Sequence, residues 1–276
     1  NLADQRGHKN RMAGNLSRVF LGMQIEWQEW IGLSPAMFLY AVVAIGVAAF
    51  IRGYSGFGFS ALTVTSLSLI LPPAEVVPSA FMLEIAASIY MLPLVWRSVN
   101  WKVLRWLLLG ALLGTPFGIA VLTTIPQKPM LLIISVIVLA ASLLLWKKSQ
   151  TSQTVNRGWT FGVGCISGLI NGAAAIGGLP VVLLFLSISV GSASTRASMV
   201  AYLFITDLYA VFLPGSQELI STELLGRTVL LLIPLFLGIY IGHRSFVKTS
   251  PESFRKFVLS LLIVLSLAAL IRGILL

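Results

Sequence analysis

The chain has 276 residues, of which 57% are hydrophobic and only 10% are charged. Its mean hydropathy is +0.94, and because soluble domains carry about 25% charged residues, this composition excludes an ordinary soluble protein and predicts an integral membrane protein. The net charge is +10. The basic residues lie mostly in short segments between apolar runs, as the positive-inside rule describes, so nucleic acid is not an expected partner.

The first predicted element is a partly basic N-terminal tail, residues 1–34. Within it, residues 19–33 form an amphipathic lead-in, with Trp27 and Trp30 near Glu26 and Glu29, that is typical of the membrane interface. Ten apolar segments follow. They span residues 35–51, 57–71, 77–96, 103–122, 130–146, 159–170, 176–188, 193–213, 224–242 and 257–275.

Two glycine-rich stretches interrupt the apolar pattern. The first is I-R-G-Y-S-G-F-G-F-S at 51–60, and the second is I-N-G-A-A-A-I-G-G-L-P at 170–180. Each lies between apolar segments that include a member shorter than the roughly 20 residues a full crossing needs. In a membrane helix, such a break survives only where protein or a water-filled cavity satisfies the freed backbone groups.

The two stretches occupy matching places in the chain, which predicts an internal duplication. Gly53 corresponds to Gly172 and Gly58 to Gly177, and G-A-L-L-G-T-P-F-G at 110–118 lies over P-L-F-L-G-I-Y-I-G at 234–242. The predicted fold class is therefore an all-α integral membrane protein of two repeats, each a broken or re-entrant helix pair followed by three spanning helices. The repeats cover residues 35–148 and 158–276, with a basic loop at 149–157.

Each repeat has an odd number of crossings whether its broken pair is re-entrant or fully spanning. The second repeat must then lie upside down relative to the first, which is the inverted-repeat plan of secondary transporters, whose substrate site lies near the bilayer midplane at discontinuous helices.

The loop charges predict the orientation. One side carries Lys128, Glu75, Glu218 and Glu223. The other side carries Arg97, Lys102, Arg105, Lys147, Lys148, Arg157, Arg196, Arg244, Lys248, Arg255 and Lys256. The basic side is expected to be cytoplasmic, and this places both termini outside, although the basic tail opposes that orientation.

The glycine stretches also predict an anion site. Helix N-termini at the breaks would favour an anion, and Ser55, Ser60 and Asn171 could add hydrogen bonds. Arg52 could supply a guanidinium fork suited to carboxylate or sulfonate oxygens. The alternatives are that Arg52 snorkels to the interface and that the serines bond back to nearby carbonyls.

Two acids, Glu84 and Asp207, lie inside apolar segments. Ionisable residues within a membrane are functional hypotheses by default because they are costly in lipid, so both are candidates for proton coupling. The alternative is that each acid pairs with a nearby arginine or lies close to the interface.

An enzyme is a weaker alternative. G-Y-S-G at 53–56 has the form of the serine motif in rhomboid-type intramembrane proteases, but Ser55 would need a base within reach, and the chain offers only His8 and His243. Two isolated histidines and the single Cys165 cannot close a metal site, so no catalytic residue, metal or cofactor is expected.

With these motifs in place, the chain resembles the TauE/SafE family of sulfite and organosulfonate exporters, also called the toluene sulfonate uptake permease group. R-G-Y-S-G-F-G-F-S at 52–60, G-L-I-N-G-A-A-A-I-G-G-L-P at 168–180 and T-R-A-S-M at 195–199 carry the resemblance. It implies a bacterial inner-membrane carrier in which small sulfur-containing anions are exported by alternating access. An anion channel with the same breaks stays open as an alternative, as does assembly into a homo-oligomer.

The resemblance also implies which residues line the site. From the first repeat these are Arg52, Gly53, Ser55, Gly56 and Gly58, and the residue chemistry adds Ser60. From the second repeat they are Asn171, Gly172, Gly177 and Gly178. Because Asn171 stands where the first repeat has Arg52, the positive charge would come from the first repeat alone.

Overall fold

The computed structural model describes residues 31–147, 156–188, 191–245 and 251–275. The predicted tail and lead-in, except for their last residues, and most of the basic loop at 149–157 lie outside these ranges. Within them the chain is helical and contains no strand, so the predicted all-α class is confirmed.

Ten longer helices and two short ones make up the described part of the chain. They are α1 (Pro35–Ser55), α2 (Phe59–Leu67), α3 (Pro73–Val95), a 3-10 turn (Trp96–Ser98), α4 (Trp101–Thr124), α5 (Gln127–Trp146), α6 (Arg157–Ala174), α7 (Gly178–Ser187), α8 (Ser192–Phe212), α9 (Pro214–Gln217), α10 (Thr222–Ser245) and α11 (Pro251–Leu275). Each predicted apolar segment appears as one of the ten longer helices, in the predicted order.

Local chemistry sets several of the helix starts. Ser34 caps α1, since its hydroxyl accepts from the Met37 backbone N–H at 3.3 Å, and Pro35 follows at the first helical position. Asn100 and Asn156 cap α4 and α6 in the same way through their side-chain oxygens. α3 begins at Pro73, four residues before its apolar run, because a proline suits a first turn.

Six of the described helices are long and apolar enough to cross a membrane. They are Pro35–Ser55, Pro73–Ser98, Trp101–Thr124, Gln127–Trp146, Thr222–Ser245 and Val258–Leu275. Large apolar side chains such as Phe117, Phe212 and Ile233 are exposed on the outer faces of the helices, where lipid would cover them. The chain is a multi-pass membrane protein.

The first helix of each half of the chain packs against a helix of the other half. α1, from the first half, packs along α10 of the second, and α6, from the second half, packs along α4 of the first. The third helices of the two halves, α3 and α8, contact each other, as do the last helices, α5 and α11. This reciprocal pattern is what a duplication with a twofold relation would produce, and the inverted orientation of the second half remains a prediction.

Glycines make both exchanged pairs close. A Cβ on Gly114 would overlap the Cys165 carbonyl oxygen of α6, and one on Gly53 would overlap the Ile239 carbonyl oxygen of α10. Gly172 meets the Thr115 carbonyl oxygen in the same way. Gly53 and Gly172, one matched pair of the two stretches, therefore bring backbones together in the manner of small residues at membrane helix interfaces.

We expect Gly114→Ala to lower the free energy of unfolding by about 1–3 kcal/mol, the usual cost of overpacking. The reason is that the added methyl group must push α4 away from α6. Gly162→Ala is the matched control, because a Cβ there meets nothing within 4 Å and alanine favours a helix more than glycine does. Unfolding of the detergent-purified variants measures both effects, and equal stability of the two variants would contradict the close packing.

Candidate functional site

The two glycine-rich stretches form breaks between consecutive helices. α1 ends at Ser55, and Gly56 and Gly58 adopt left-handed conformations with φ of 81° and 90° before α2 begins. α6 ends at Ala174, and Ala175 has φ 56° before α7 begins at Gly178. Left-handed residues end helices readily, but the second break uses an alanine where the first uses a glycine.

Ala175→Gly is expected to raise the free energy of unfolding by about 0.5–1 kcal/mol. It removes the strain of a left-handed alanine, part of which is offset by the greater freedom of glycine in the unfolded chain. Gly56→Ala should change stability in the opposite direction, because its Cβ would also overlap the side chain of Arg196. Thermal unfolding of the two variants tests this, and a loss of stability in Ala175→Gly would contradict it.

A small cavity lies between the two breaks. It has room for about one water molecule. The first half contributes Gly58, Ser60, Ala61 and Glu84, and the second contributes Ala175, Ile176, Gly178, Leu179 and Leu203. Both α2 and α7 therefore begin at the cavity, so that each presents a helix N-terminus to it.

Arg52 is the centre of a buried polar cluster beside this cavity. Its side chain is fully buried, and its Nη2 atom lies 2.5 Å from Oε1 of Glu84 and 3.1 Å from Oγ of Ser88, both on α3. Its Nη1 donates to the Gly56 carbonyl oxygen. Ser60, at the start of α2, donates to Oε2 of Glu84 at 2.8 Å. The cluster ties the first break to α3.

A second buried cluster holds the other break. Nδ2 of Asn171 donates to Oδ1 of Asp207 at 2.6 Å, and Oδ1 of Asn171 accepts from the Gly177 backbone N–H at 3.1 Å. Ser167 donates to the Gly177 carbonyl oxygen at 2.5 Å and lies 2.6 Å from the Tyr202 hydroxyl. The backbone N–H and carbonyl of Gly177 are thus both bonded to side chains of α6. These side chains are in turn bonded to side chains of α8.

The two clusters have the same layout but different charges. In each half, a residue in the last turn of the first helix pairs with an acid of the third helix: Arg52 with Glu84, and Asn171 with Asp207. Glu84 therefore has a cationic partner. Asp207 has only an amide, and its Oδ2 atom, fully buried, has no hydrogen-bond partner among the described residues.

Arg196 joins the first break to the second half. Its Nη2 donates to the Gly53 carbonyl oxygen at 2.6 Å and lies 3.0 Å from Nδ1 of His243 on α10. Arg196 lies within the predicted segment 193–213 and is counted there among the charges of the basic side; in the structure it is the fifth residue of α8 and is mostly buried. A cation at this place neutralises the carbonyl end of α1.

The structure places the sequence-predicted residues in three groups. Gly58, Ser60, Glu84 and Gly178 line the cavity. Arg52, Asn171, Asp207, Gly56 and Gly177 belong to the polar clusters behind it. Gly53 and Gly172 pack against neighbouring helices. The Ser55 hydroxyl lies 2.8 Å from the Ile51 and from the Phe57 carbonyl oxygen and can donate its one O–H to either of them.

Some of these positions settle alternatives that the sequence left open. Arg52 is fully buried among other side chains, so its guanidinium does not extend to the protein surface. The two serines differ in their partners, since Ser60 donates to the Glu84 carboxylate and Ser55 bonds to a backbone carbonyl oxygen. His243 contacts Arg196, while His8 lies outside the described residues.

Sequence reasoning missed four residues of the site: Ser88, Ser167, Arg196 and Tyr202. The serines and the tyrosine gave no signal, because such residues are common in helices. Arg196 did give one, since an arginine five residues into a helix that also carries a buried acid is unusual in a membrane protein.

Two interrupted helix pairs that meet at a buried polar centre, within a bundle of membrane-spanning helices, define a class of protein that handles a small solute. A profile of the family described as Sulfite exporter TauE/SafE matches residues 20–269. The chain belongs to this family of transporters, whose substrates are small anions, and it is not an enzyme. Comparison with curated proteins and with solved structures finds no match.

Proposed function

We propose that the protein is a secondary transporter that exports small sulfur-containing anions, such as sulfite, sulfoacetate or other organosulfonates, across the bacterial inner membrane. The observation that carries this proposal is the fully buried Arg52 beside a cavity at which two helix N-termini meet. A buried guanidinium in a membrane protein is costly even when it is paired, and such residues mark substrate and ion pathways.

The chemistry around the cavity suits an oxyanion. The first backbone N–H groups of α2 have no partners within their own helix, whereas in α7 the Leu179 N–H bonds to the Ile176 carbonyl oxygen and Pro180 has no N–H. The positive ends of both helices favour a negative charge. The Nε atom of Arg52 is buried and has no acceptor among the described residues, so a donor remains for a sulfonate oxygen. Ser60, at the cavity wall, adds a hydroxyl.

Alternating access would come from movement between two sets of helices around the cavity. In this proposal the two repeats, 35–148 and 158–276, lie inverted relative to each other, the basic loops face the cytoplasm and both termini face the periplasm. The substrate would contact Arg52, Gly58, Ser60 and Gly178 directly. Gly53, Ser55, Gly56, Asn171, Gly172 and Gly177 would hold the breaks in place around it.

Glu84 and Asp207 are the proposed coupling residues. Both side chains are buried. Each is bonded to a side chain in the last turn of a broken helix, so a change of protonation would reach the breaks directly. We therefore propose protons as the coupling ions.

The test of function is thermal stabilisation by a panel of anions: sulfite, sulfoacetate, methanesulfonate, sulfate and dicarboxylates. Ligands that bind only the native state raise its apparent stability. We expect sulfite and the sulfonates to stabilise the protein and the double variant Arg52→Gln/Glu84→Gln, which leaves no unpaired charge, to lose the effect. Arg105→Gln, which removes an exposed arginine, is the matched control and should respond as the wild type does.

Two results would contradict the proposal. One is the absence of stabilisation by any anion of the panel. The other is stabilisation that survives in the double variant, since the site would then not be at Arg52.

Transport measurements in liposomes distinguish a carrier from a channel. The cavity, with room for about one water molecule, favours a carrier, which should show saturable counterflow of labelled sulfite. Conductance without counterflow would indicate a channel.

A further inference from the structure

We propose that the Glu84 carboxylate is an internal substitute for the substrate anion. In the empty transporter the carboxylate is paired with Arg52. When the substrate binds, Glu84 takes up a proton and releases Arg52 to the substrate. This inference rests on the proposed function, and it specifies how binding at that site is coupled to a proton.

The positions of the groups put Glu84 between the cavity and Arg52. Glu84 and Ser60 line the cavity, whereas Arg52 is not among the residues that line it. Oε1 of Glu84 lies 2.5 Å from Nη2 of Arg52, and Oε2 accepts from Ser60. An anion that enters the cavity therefore meets a carboxylate first, and it reaches the guanidinium only if that carboxylate gives way.

While Glu84 is ionised, the pair that it forms with Arg52 is neutral and offers no net positive charge to an anion. Two further buried charged groups belong to α8: Asp207, which bonds to Asn171, and Arg196, which bonds to the Gly53 carbonyl oxygen. When both are ionised, their charges cancel. A bound anion would add a further negative charge out of contact with bulk water, which is strongly unfavourable.

Other charged or titratable groups on the helices packed against α3 have different partners. Arg227 of α10 pairs with Glu75, about two and a half turns away along α3. Arg196 of α8 contacts Gly53 and the imidazole of His243 on α10, and Tyr202 contacts Ser167. Lys102, Arg105, Lys128 and Arg157 lie in the first turns of α4, α5 and α6. Arg52 is thus the cation for which Glu84 and the substrate compete.

The exchange balances in charge. A proton from bulk water adds to Glu84, which becomes a neutral carboxylic acid, and Arg52 keeps its charge and transfers its hydrogen bonds to the substrate. Ser60 can accept from the new carboxylic O–H, because a hydroxyl both donates and accepts. For a monoanion, the pair is neutral before binding and the complex of Arg52, Glu84 and substrate is neutral afterwards.

The experiment measures the affinity for methanesulfonate over a pH series, because a sulfonate stays a monoanion throughout. Over the pH range in which binding takes up a proton, the affinity of the wild type should fall about tenfold for each unit of rising pH, as linkage to one proton requires. Glu84→Gln resembles the protonated acid, so its affinity should stay high and independent of pH. Glu75→Gln, which changes another acid of α3 that is half-exposed, is the matched control and should keep the wild-type slope.

A second measurement does not depend on any variant folding. Addition of methanesulfonate to wild-type protein in weak buffer should take up about one proton for each anion bound, and a pH indicator records it. Absence of this uptake overturns the inference, as does a Glu84→Gln variant that keeps the wild-type pH slope. In both cases the proposed function stands if binding still requires Arg52, whereas failure of every anion to bind wild-type protein overturns the function and the inference together.

Discussion

Arg52→Gln with Glu84 left in place is expected to lower the free energy of unfolding by roughly 3–5 kcal/mol, the usual cost of removing one partner of a buried ion pair. The reason is that Glu84 is 1% exposed, so its carboxylate would stay out of water without a cation. Ser60 and the new amide would replace only part of the lost interaction. Unfolding of the detergent-purified variant by heat or denaturant measures the loss.

The partner variant separates the charge from the shape of the site. Arg52→Gln/Glu84→Gln should recover much of the stability, because two neutral amides can bond to each other and leave no buried charge. If the single and the double variants were equally unstable, the loss would come from the packing of the Arg52 side chain, and the ion pair would not be its source.

Asp207→Asn is expected to abolish uphill transport driven by a pH gradient while leaving counterflow of labelled substrate intact. Asparagine keeps an acceptor for Nδ2 of Asn171 but cannot release a proton. Because Oδ2 of Asp207 has no hydrogen-bond partner in the described part of the chain, the added amide group breaks no existing bond. Transport in liposomes with and without a pH gradient measures the two activities.

Asp207→Leu provides the contrast. It leaves the buried amide of Asn171 without an acceptor and should cost about 1–3 kcal/mol of stability. Loss of both activities in a well-folded Asp207→Asn variant would assign Asp207 to substrate binding, and retention of uphill transport would remove it from the coupling residues.

Most of the fold could be predicted from the sequence because apolar length and glycine breaks act locally. The helices on either side of each glycine-rich break can be recognised from their own apolar residues, and Pro35 and Pro73 mark helix starts. The exceptions are also local. Ala175 adopts a left-handed conformation that its residue type does not indicate, because the Asn171 and Ser167 side chains hold the neighbouring Gly177.

The site was less predictable because its contacts join distant helices. Arg52 and Glu84 were both singled out, but their pairing depends on how α1 and α3 are rotated against each other, which no local pattern encodes. Ser167 and Tyr202 became part of the site only through the approach of α8 to α6. Arg196 was counted among the charges of the basic side, and its contacts with Gly53 of α1 and His243 of α10 again depend on how distant helices pack.

The exchange of helices between the halves also bears on how the protein is made. The face of α1 that contains Gly53 finds its partner only when Thr222–Ser245 has been synthesised, because α1 packs along α10. α1 must therefore wait in the bilayer, with its partner face turned to lipid or to the insertion machinery, through most of translation. Neither half expressed alone can bury its own first helix, whereas the two halves expressed as separate chains contain every surface needed to assemble with each other.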